Sequence, residues 1–298
     1  MAVAIAFAFL AACGFASGNV LVRVGTQQVP PPTAALLTVL SSMILVVGLG
    51  LVLSLDEFKS LSLTAMGWIL VMGIMGYPMA RVLLITAISM VGAARAVPMS
   101  GIQPVIAFTL GVLLLGERPN LLVILGTPVI VAGLFLVVMP RRGPNSGDGV
   151  NNVRRLGYLL ALGAAATFAS RDVISRHVVT DIAAPLVTAA LALAVGGVIL
   201  TVILHRQAVR SIRTLPRNYL LTCSLAGLFQ GLAVASLFQA LSRAPVTVVS
   251  PIYACTPLIT LLLVRVFLRR METIDFLLAV GTLLSVAGVI LVILGATG

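Results

Sequence analysis

Charged residues are scarce in this sequence: they form 9% of its 298 residues, where a soluble protein carries about 25%. Only eight acids are present, whereas hydrophobic residues make up 60% of the chain. One water-excluding core cannot hold so many apolar side chains, so lipid must surround much of the surface. The net charge of +11 would elsewhere suggest nucleic acid. Here the basic residues cluster between apolar runs, as in membrane loops, and we expect no nucleic-acid partner.

The residues that catalysis and metal binding require are also few. The two histidines, His177 and His205, lie at the ends of predicted helices. The three cysteines, Cys13, Cys223 and Cys255, fall inside apolar runs and lack metal-ligand spacing. Neither an H-E-x-x-H motif nor a glycine-rich phosphate loop occurs in the sequence. We therefore expect no enzyme activity, no cofactor and no bound metal.

The apolar N-terminus resembles a signal peptide, and residues 10–13 (L-A-A-C) resemble a lipoprotein cleavage box. No basic residue precedes the apolar run, however. The segment that follows it, F-A-S-x-[N/D], recurs in the middle of the chain, where no signal peptide could act. We predict that residues 3–22 form a retained first helix.

The sequence repeats itself at an interval of about half its length. Residues 15–20 read F-A-S-G-N-V and residues 168–173 read F-A-S-R-D-V, an offset of 153. Pro104 and Pro257 share that offset, whereas Glu117 and Glu272 are 155 residues apart. A repeat of this length indicates a duplicated domain, as in many transporters, rather than a solenoid.

Ten apolar segments are each long enough to cross a hydrocarbon core about 30 Å thick, which takes about 20 helical residues. Helices are favoured over strands because they pair every backbone polar group within the segment. Since five helices per half is an odd number, the second half must be inverted relative to the first, which places a substrate site near the midplane between the halves. Segments 1 to 10 are residues 3–22, 33–53, 66–88, 96–115, 120–139, 157–175, 183–204, 219–241, 246–267 and 275–295.

The predicted fold is thus an all-α membrane protein with ten transmembrane helices in two inverted five-helix repeats. The first repeat spans residues 1–139, a polar linker spans 140–156, and the second repeat spans 157–298. Residues 55–62 are predicted as a short polar loop.

Arginines concentrate on one side of the predicted membrane. The positive-inside rule places that side in the cytoplasm and both termini outside. Loops after segments 5, 7 and 9 hold Arg141, Arg142, Arg154, Arg155, Arg206, Arg210, Arg213, Arg217, Arg269 and Arg270.

One pattern occurs in both halves: Ala87…Pro98…Pro104…Gly116-Glu117-Arg118…Gly126…Ala132-Gly133, and again Ala240…Pro251…Pro257…Glu272…Gly281…Ala287-Gly288. It resembles the EamA-type members of the drug/metabolite transporter superfamily. The resemblance implies a ten-helix inner-membrane carrier with cytoplasmic termini, against the arginine distribution, and a cavity lined by segments 1, 3, 4, 6, 8 and 9. Known members export amino acids and related metabolites, or move nucleotide sugars and phosphorylated sugars.

This sequence departs from that family pattern in two places. Cys13-Gly14 stands where members often carry a Trp-Gly step, and residues 33–53 lack the arginine that members often carry in the second helix. The resemblance therefore does not identify a particular substrate for this chain.

We expect a multi-pass secondary transporter of a bacterial inner membrane that moves a small polar metabolite by alternating access. Coupling would come from an ion gradient, with protons among the candidates, or from exchange, and no oligomer is required. The resemblance alone suggests an amino acid or similar compound, and export. The alternative is a non-transporting membrane scaffold or sensor that keeps the fold. It would be favoured if apolar side chains filled the space between the halves and Arg81 faced the lipid headgroups.

Asp172 is the only acid well inside an apolar run. An ionisable group in the bilayer costs at least about 2.5–3.5 kcal/mol, so it is usually functional or paired. Asp172 could bind a proton or an amine, or it could pair with Arg176, four residues on in the favourable order. Its repeat counterpart is Asn19. If the halves pack about a pseudo-two-fold axis, the helix faces of Asn19 and of Phe168 with Asp172 would line the cavity.

Arg81 lies inside segment 3, four residues after Tyr77. A membrane-embedded arginine stays charged and needs a counter-ion, carbonyl groups or water. Either an anionic group of a substrate or a partner on a neighbouring helix would supply it. The repeat counterpart of Arg81 is Val234, so the symmetry of the fold does not require the charge.

Other polar residues lie beside prolines or inside apolar segments. Gln103 precedes Pro104 and Thr256 precedes Pro257, so both pairs could mark kinks that expose backbone to a cavity. The remaining polar residues make either helix–helix hydrogen bonds or ligand contacts. The candidate substrate-binding residues are Asn19, Tyr77, Arg81, Gln103, Phe168, Asp172, Gln230, Tyr253 and Thr256.

Glu117 and Glu272 precede the last segment of each half. We expect each acid to be stabilised by the dipole of the helix that follows it.

Overall fold

A computed structural model describes residues 1–59, 61–93, 96, 99–138, 148–253, 255–267 and 276–297. Helices are the only regular secondary structure in this part of the chain. Within it, six helical spans are long and apolar enough to cross a membrane, and three shorter apolar helices accompany them. The all-helical class is therefore confirmed, and the count of ten transmembrane helices stays a prediction. The six spans are Ala2–Gly25, Pro31–Leu53, Leu63–Val91, Pro185–Arg210, Arg217–Leu241 and Val246–Phe267.

The helices are numbered here in chain order. A π-helix, Met75–Arg81, joins α4 to α5, and a 3₁₀ turn, Ser100–Ile102, precedes α6. The α-helices are α1 (Ala2–Gly25), α2 (Pro31–Leu53), α3 (Leu55–Lys59), α4 (Leu63–Ile74), α5 (Val82–Val91), α6 (Gln103–Leu115), α7 (Leu121–Val138), α8 (Asp148–Asp181), α9 (Pro185–Thr214), α10 (Arg217–Leu241), α11 (Val246–Tyr253), α12 (Thr256–Phe267) and α13 (Phe276–Thr297).

Several predicted segments differ from the helices observed. Segment 4 is interrupted by the 3₁₀ turn at Ser100–Ile102, after which α6 begins at Gln103, and segment 9 is divided between α11 and α12. Segment 6 extends in both directions to become α8, which begins at Asp148, inside the stretch predicted as linker. The part of that linker from 140 to 147 lies outside the described residues, as do Pro98, Arg141, Arg142, Arg269, Arg270 and Glu272.

The predicted loop at 55–62 contains the short helix α3. Asp56 and Glu57 lie in its first turn, where the helix dipole favours acids. The ring of Phe58 packs against α2, 3.2 Å from where a Cβ on Gly50 would lie. The acids in the first turn and one aromatic contact thus stabilise a short helix in a stretch whose polar composition predicted a loop.

Equivalent helices of the two halves pack against each other in opposite directions. A Cβ on Gly126 of α7 would lie 2.7 Å from the carbonyl oxygen of Gly288 in α13, and one on Gly133 would lie 2.6 Å from that of Gly281. Gly126 corresponds to Gly281 in the repeat, and Gly133 to Gly288, so this is one contact made twice. Such pairing requires that the halves be inverted relative to each other, and glycine allows the close backbone approach.

The remaining helices interleave the halves. On α1, Gly14 faces Ala233 of α10, a contact between the first half and the second. The equivalent contact in the repeat is made by α8, which packs along α4, the π-helix and α5. In this contact the side chain of Arg171 lies against Gly76. Helices α1 and α8 therefore flank the centre of the molecule, as the repeated F-A-S-x-[N/D] segments require.

Glu117 caps a different helix from the one expected. Its Oε1 accepts a hydrogen bond from the Val246 backbone N–H at 2.8 Å, and its Oε2 accepts one from Thr247 at 2.9 Å. Its side chain therefore satisfies the N-terminus of α11, in the second half, rather than that of α7. The preceding residue, Gly116, has φ of +65°, a left-handed conformation that suits glycine and turns the chain at the end of α6. The prediction that Glu117 lies at a helix N-terminus is thus correct in its chemistry, but the helix is α11 and not α7.

Candidate functional site

A cavity of about 70 Å³ lies at the centre of the molecule, between the two halves. Segments 1, 3, 4, 6, 8 and 9, which the resemblance implied, all contribute to its wall. The lining combines polar groups with apolar side chains, so apolar residues do not fill the space completely. The lining residues are Phe15, Asn19, Arg81, Leu84, Ile85, Ser100, Gln103, Pro104, Phe168, Arg171, Gln230, Leu237, Tyr253 and Thr256.

Breaks in helices supply much of the polar wall. The π-helix, which contains Pro78, ends at Arg81, and α6 begins at Gln103 beside Pro104. Helix α11 ends at Tyr253, and α12 begins at Thr256. Short π segments inside α-helices are frequent at functional sites, and irregular backbone at membrane depth is tolerated where it lines a cavity or is buried in protein.

Arg81 belongs to a cluster of neutral groups. It is 3% exposed, and its Nη1 donates a hydrogen bond to Oε1 of Gln230. Nε2 of Gln230 in turn donates to Oδ1 of Asn19 at 3.4 Å. The Arg81 guanidinium carbon lies 5.8 Å from the centre of the Tyr77 ring. Among the described residues, no carboxylate lies within ion-pair distance of Arg81, so its charge is buried beside the cavity without a counter-ion.

Asp172 belongs to a second, charge-paired cluster. Its side chain is fully buried, and its Oδ1 accepts hydrogen bonds from two nitrogens of Arg171, Nε at 3.1 Å and Nη2. Its Oδ2 accepts from Nε2 of Gln103 at 2.8 Å and from the Tyr253 hydroxyl at 2.7 Å. Both carboxylate oxygens are thus occupied by protein donors.

Arg171 is held on both sides as well. Its guanidinium carbon lies 5.4 Å from the Phe168 ring centre and 5.7 Å from that of Phe238, within the range of cation–π contacts. Its Cδ lies only 2.8 Å from where a Cβ on Gly76 would be, so the π-helix leaves room for the side chain because residue 76 is glycine.

The ion pair with Arg176, one of the two alternatives for Asp172, is wrong. Nη1 of Arg176 donates instead to the carbonyl oxygen of Leu241, at the end of α10. The partner of Asp172 is Arg171, although neighbours in a helix project about 100° apart. A long arginine side chain can fold back over that angle, and the flanking rings hold it there. Sequence reasoning missed Arg171; the available signal was a second arginine in the same apolar run, next to its only acid.

The structure brings most of the predicted site residues to one place. Asn19, Arg81, Gln103, Phe168, Gln230, Tyr253 and Thr256 line the cavity. Tyr77 and Asp172 lie behind the wall, in contact with lining residues. The Tyr77 side chain is fully buried, packs beside Gly196, and its hydroxyl has no hydrogen-bond partner among the described residues. Substrate binding by these nine residues stays a prediction.

Comparison with known proteins identifies the class. The model of the EamA-like transporter family matches residues 2–139 and 155–294 of this chain. The chain therefore belongs to the EamA-like transporter family. It is an integral, multi-pass membrane protein of the drug/metabolite transporter superfamily, in a family of transporters that are generally not enzymes.

Similarity to individual proteins supports the fold and gives no further information about function. A solved crystal structure superposes with a TM-score of 0.74, covering 99% of this chain and 97% of that chain at 22% sequence identity. No curated protein matches the sequence significantly.

Proposed function

We propose that this chain is a secondary transporter that moves a small polar metabolite with an anionic group through the central cavity by alternating access. The observation that carries the proposal is Arg81, a buried charge at the cavity wall without a carboxylate partner among the described residues. A charge in the bilayer is costly, and such charges usually mark a substrate or ion pathway. An anionic group of the substrate would supply the missing counter-ion.

The size of the cavity supports a mechanism with moving halves. Pockets for small-molecule ligands typically measure about 300–1,000 Å³, whereas this one measures about 70 Å³. A metabolite therefore needs the two halves to separate around the site. Inverted repeats of this kind rock against each other about a central site, and the interleaved contacts of α1 with α10 and of α8 with α4 and α5 are surfaces along which they could move.

The finer terms of the proposal come from the family resemblance. They are an amino acid or similar compound as substrate, export as direction, and a bacterial inner membrane as location. Because the sequence contains no phosphate-binding loop, coupling to an ion gradient or exchange is proposed in place of ATP hydrolysis. The polar wall of the cavity supports transport over the scaffold alternative, since that alternative would leave the space between the halves filled with apolar side chains.

The substrate class can be tested by thermal unfolding of the purified protein with amino acids, nucleosides, sugars, phosphorylated metabolites and cationic drugs. A ligand at 100 times its Kd stabilises the folded state by about 2.7 kcal/mol. Anionic compounds should raise the unfolding temperature of the wild type and of the control variant Arg206→Gln, which alters an exposed arginine. They should not stabilise Arg81→Gln. Stabilisation by cations alone, or equal stabilisation of Arg81→Gln, would contradict the proposal.

The membrane orientation is a separate proposal. The arginine distribution supports a cytoplasmic location for the loops after segments 5, 7 and 9, with both termini on the opposite side. A reporter that is active only in the cytoplasm, fused after Gly298, should then be inactive. An active fusion would instead support the orientation that the resemblance implied.

A further inference from the structure

Among the described residues, the cavity offers a ligand a free positive charge but no free negative one. Two buried cations, Arg81 and Arg171, and one buried acid, Asp172, lie around it. Arg171 and Asp172 pair with each other, and the remaining charge is that of Arg81. Within the described residues, the wall is therefore electrostatically suited to one negative charge on a ligand.

Asp172 is not placed to receive a ligand ammonium group. Its exposed fraction is 0%, and its two oxygens already accept hydrogen bonds from Arg171, Gln103 and Tyr253. A ligand ammonium could reach it only by displacing these donors, which would leave the buried Arg171 charge unpaired.

Three neutral acceptors of the wall are also engaged. Oε1 of Gln230 accepts from Arg81, and Oδ1 of Asn19 accepts from Gln230. The carbonyl oxygen of Tyr253, at the break between α11 and α12, accepts from the Thr256 hydroxyl at 2.6 Å. An ammonium group brought into this site would lose its water without gaining an equivalent partner from these groups.

Much of the rest of the wall is apolar. Phe15, Leu84, Ile85, Phe168 and Leu237 line the cavity beside the polar cluster. This surface suits a hydrocarbon or aromatic group attached to the anion, since apolar contact requires no hydrogen bond from the ligand.

We propose that the site selects small organic monoanions with an apolar body, such as branched or aromatic monocarboxylates, over zwitterionic amino acids and over amines. The inference rests on the proposed function, in which Arg81 binds the transported anion, and it narrows the substrate class to compounds that need no ammonium partner. It departs from the amino-acid expectation that the resemblance gave.

Two matched series of ligands test this preference. One consists of leucine, 4-methylpentanoate and 3-methylbutylamine; the other consists of phenylalanine, 3-phenylpropanoate and 2-phenylethylamine. Each series keeps the apolar body and removes either the amine or the carboxylate. Calorimetric titration of the purified wild type at neutral pH measures all six affinities with the carboxylates ionised, independent of diffusion of the free acids through lipid.

The carboxylates should bind at least about tenfold more tightly than the matching amino acids, the order of effect expected for a charged group left without its hydrogen bonds, and the amines should not bind. Arg81→Gln should lose carboxylate binding, Arg81→Lys should retain the order of preference, and Arg206→Gln should match the wild type. The inference is overturned if an amino acid binds as tightly as its deaminated analogue, if an amine binds, or if no carboxylate binds.

Flux through reconstituted vesicles separates this inference from the proposed function. If amino acids bind and are carried while the deaminated acids are not, the monoanion inference fails and the transporter proposal stands. If neither the six compounds nor the wider panel is carried faster than through protein-free vesicles, the transporter proposal fails as well.

Discussion

Arg81 and Arg171 are two buried arginines with opposite surroundings. Arg171 has a carboxylate in Asp172 and an aromatic ring on either side, so its charge is compensated within the protein. Arg81 has an amide oxygen from Gln230 and the ring of Tyr77, and no carboxylate among the described residues. The difference shows that burial alone does not assign a role: the paired charge is compensated where α8 packs, and the unpaired charge is the one that we propose binds a ligand.

The largest expected effect is on the paired cluster. Asp172→Ala would leave the Arg171 charge buried without its partner, and breaking a buried ion pair in this way costs about 3–5 kcal/mol. The variant should therefore unfold at a markedly lower temperature or denaturant concentration than the wild type, as followed by helical circular dichroism in detergent.

A matched control is Asp181→Ala, which removes an exposed acid at the end of the same helix and should change stability little. The double variant Arg171→Gln with Asp172→Asn should recover much of the loss because it removes both charges together. If Asp172→Ala were as stable as Asp181→Ala, the Arg171–Asp172 pair would not hold the fold as described.

Removal of the unpaired arginine should destabilise the fold less than removal of Asp172. Arg81→Gln leaves no buried acid without a partner, so the losses are the hydrogen bond to Gln230 and the contact with the Tyr77 ring. The cost should be at most about 3 kcal/mol, as for a hydrogen bond that involves a charged group, and relief of a buried charge could offset it. The same unfolding measurement checks this, and a loss as large as that of Asp172→Ala would mean that Arg81 has a structural counter-ion.

The smallest expected effect is that of Tyr77→Phe, which is compared with Tyr253→Phe in the other cluster. The Tyr253 hydroxyl donates to Asp172, so Tyr253→Phe should cost about 1.5–3 kcal/mol, as for a hydrogen bond to a charged group. The Tyr77 hydroxyl has no partner among the described residues, so Tyr77→Phe should leave stability nearly unchanged. Equal effects of the two substitutions, measured side by side by unfolding, would contradict the distinction between the clusters.

Much of this architecture can be predicted from the sequence because it rests on composition and repetition. Long apolar runs with few charges predict membrane helices, and the 153-residue offset predicts two like halves. The repeat also explains why α1 and α8 each bring a polar residue to the centre of the molecule: Asn19 and Asp172 occupy equivalent positions on equivalent helices.

Other features depend on tertiary contacts that spacing does not encode. Glu117 caps a helix 129 residues later in the chain, a partner that only the packed halves bring within reach. Arg171 pairs with its neighbour Asp172 because two aromatic rings and Gly76 shape the space around it, whereas helical spacing favoured Arg176. The proline-linked breaks at Gln103 and Thr256 could be anticipated, but not the π-helix that ends at Arg81.

The most direct test of the central claim is transport itself. Wild type, Arg81→Gln and Arg206→Gln would be reconstituted in equal amounts, and the initial rate of uptake of the tightest-binding anion would be measured against its concentration. We expect Arg206→Gln to match the wild type and Arg81→Gln to show a KM raised at least about tenfold or no saturable uptake, since Arg81 would supply the charged hydrogen bond to the substrate. Uptake by Arg81→Gln with the same KM and kcat as the wild type would contradict the assignment of Arg81 as the free cation that binds the substrate.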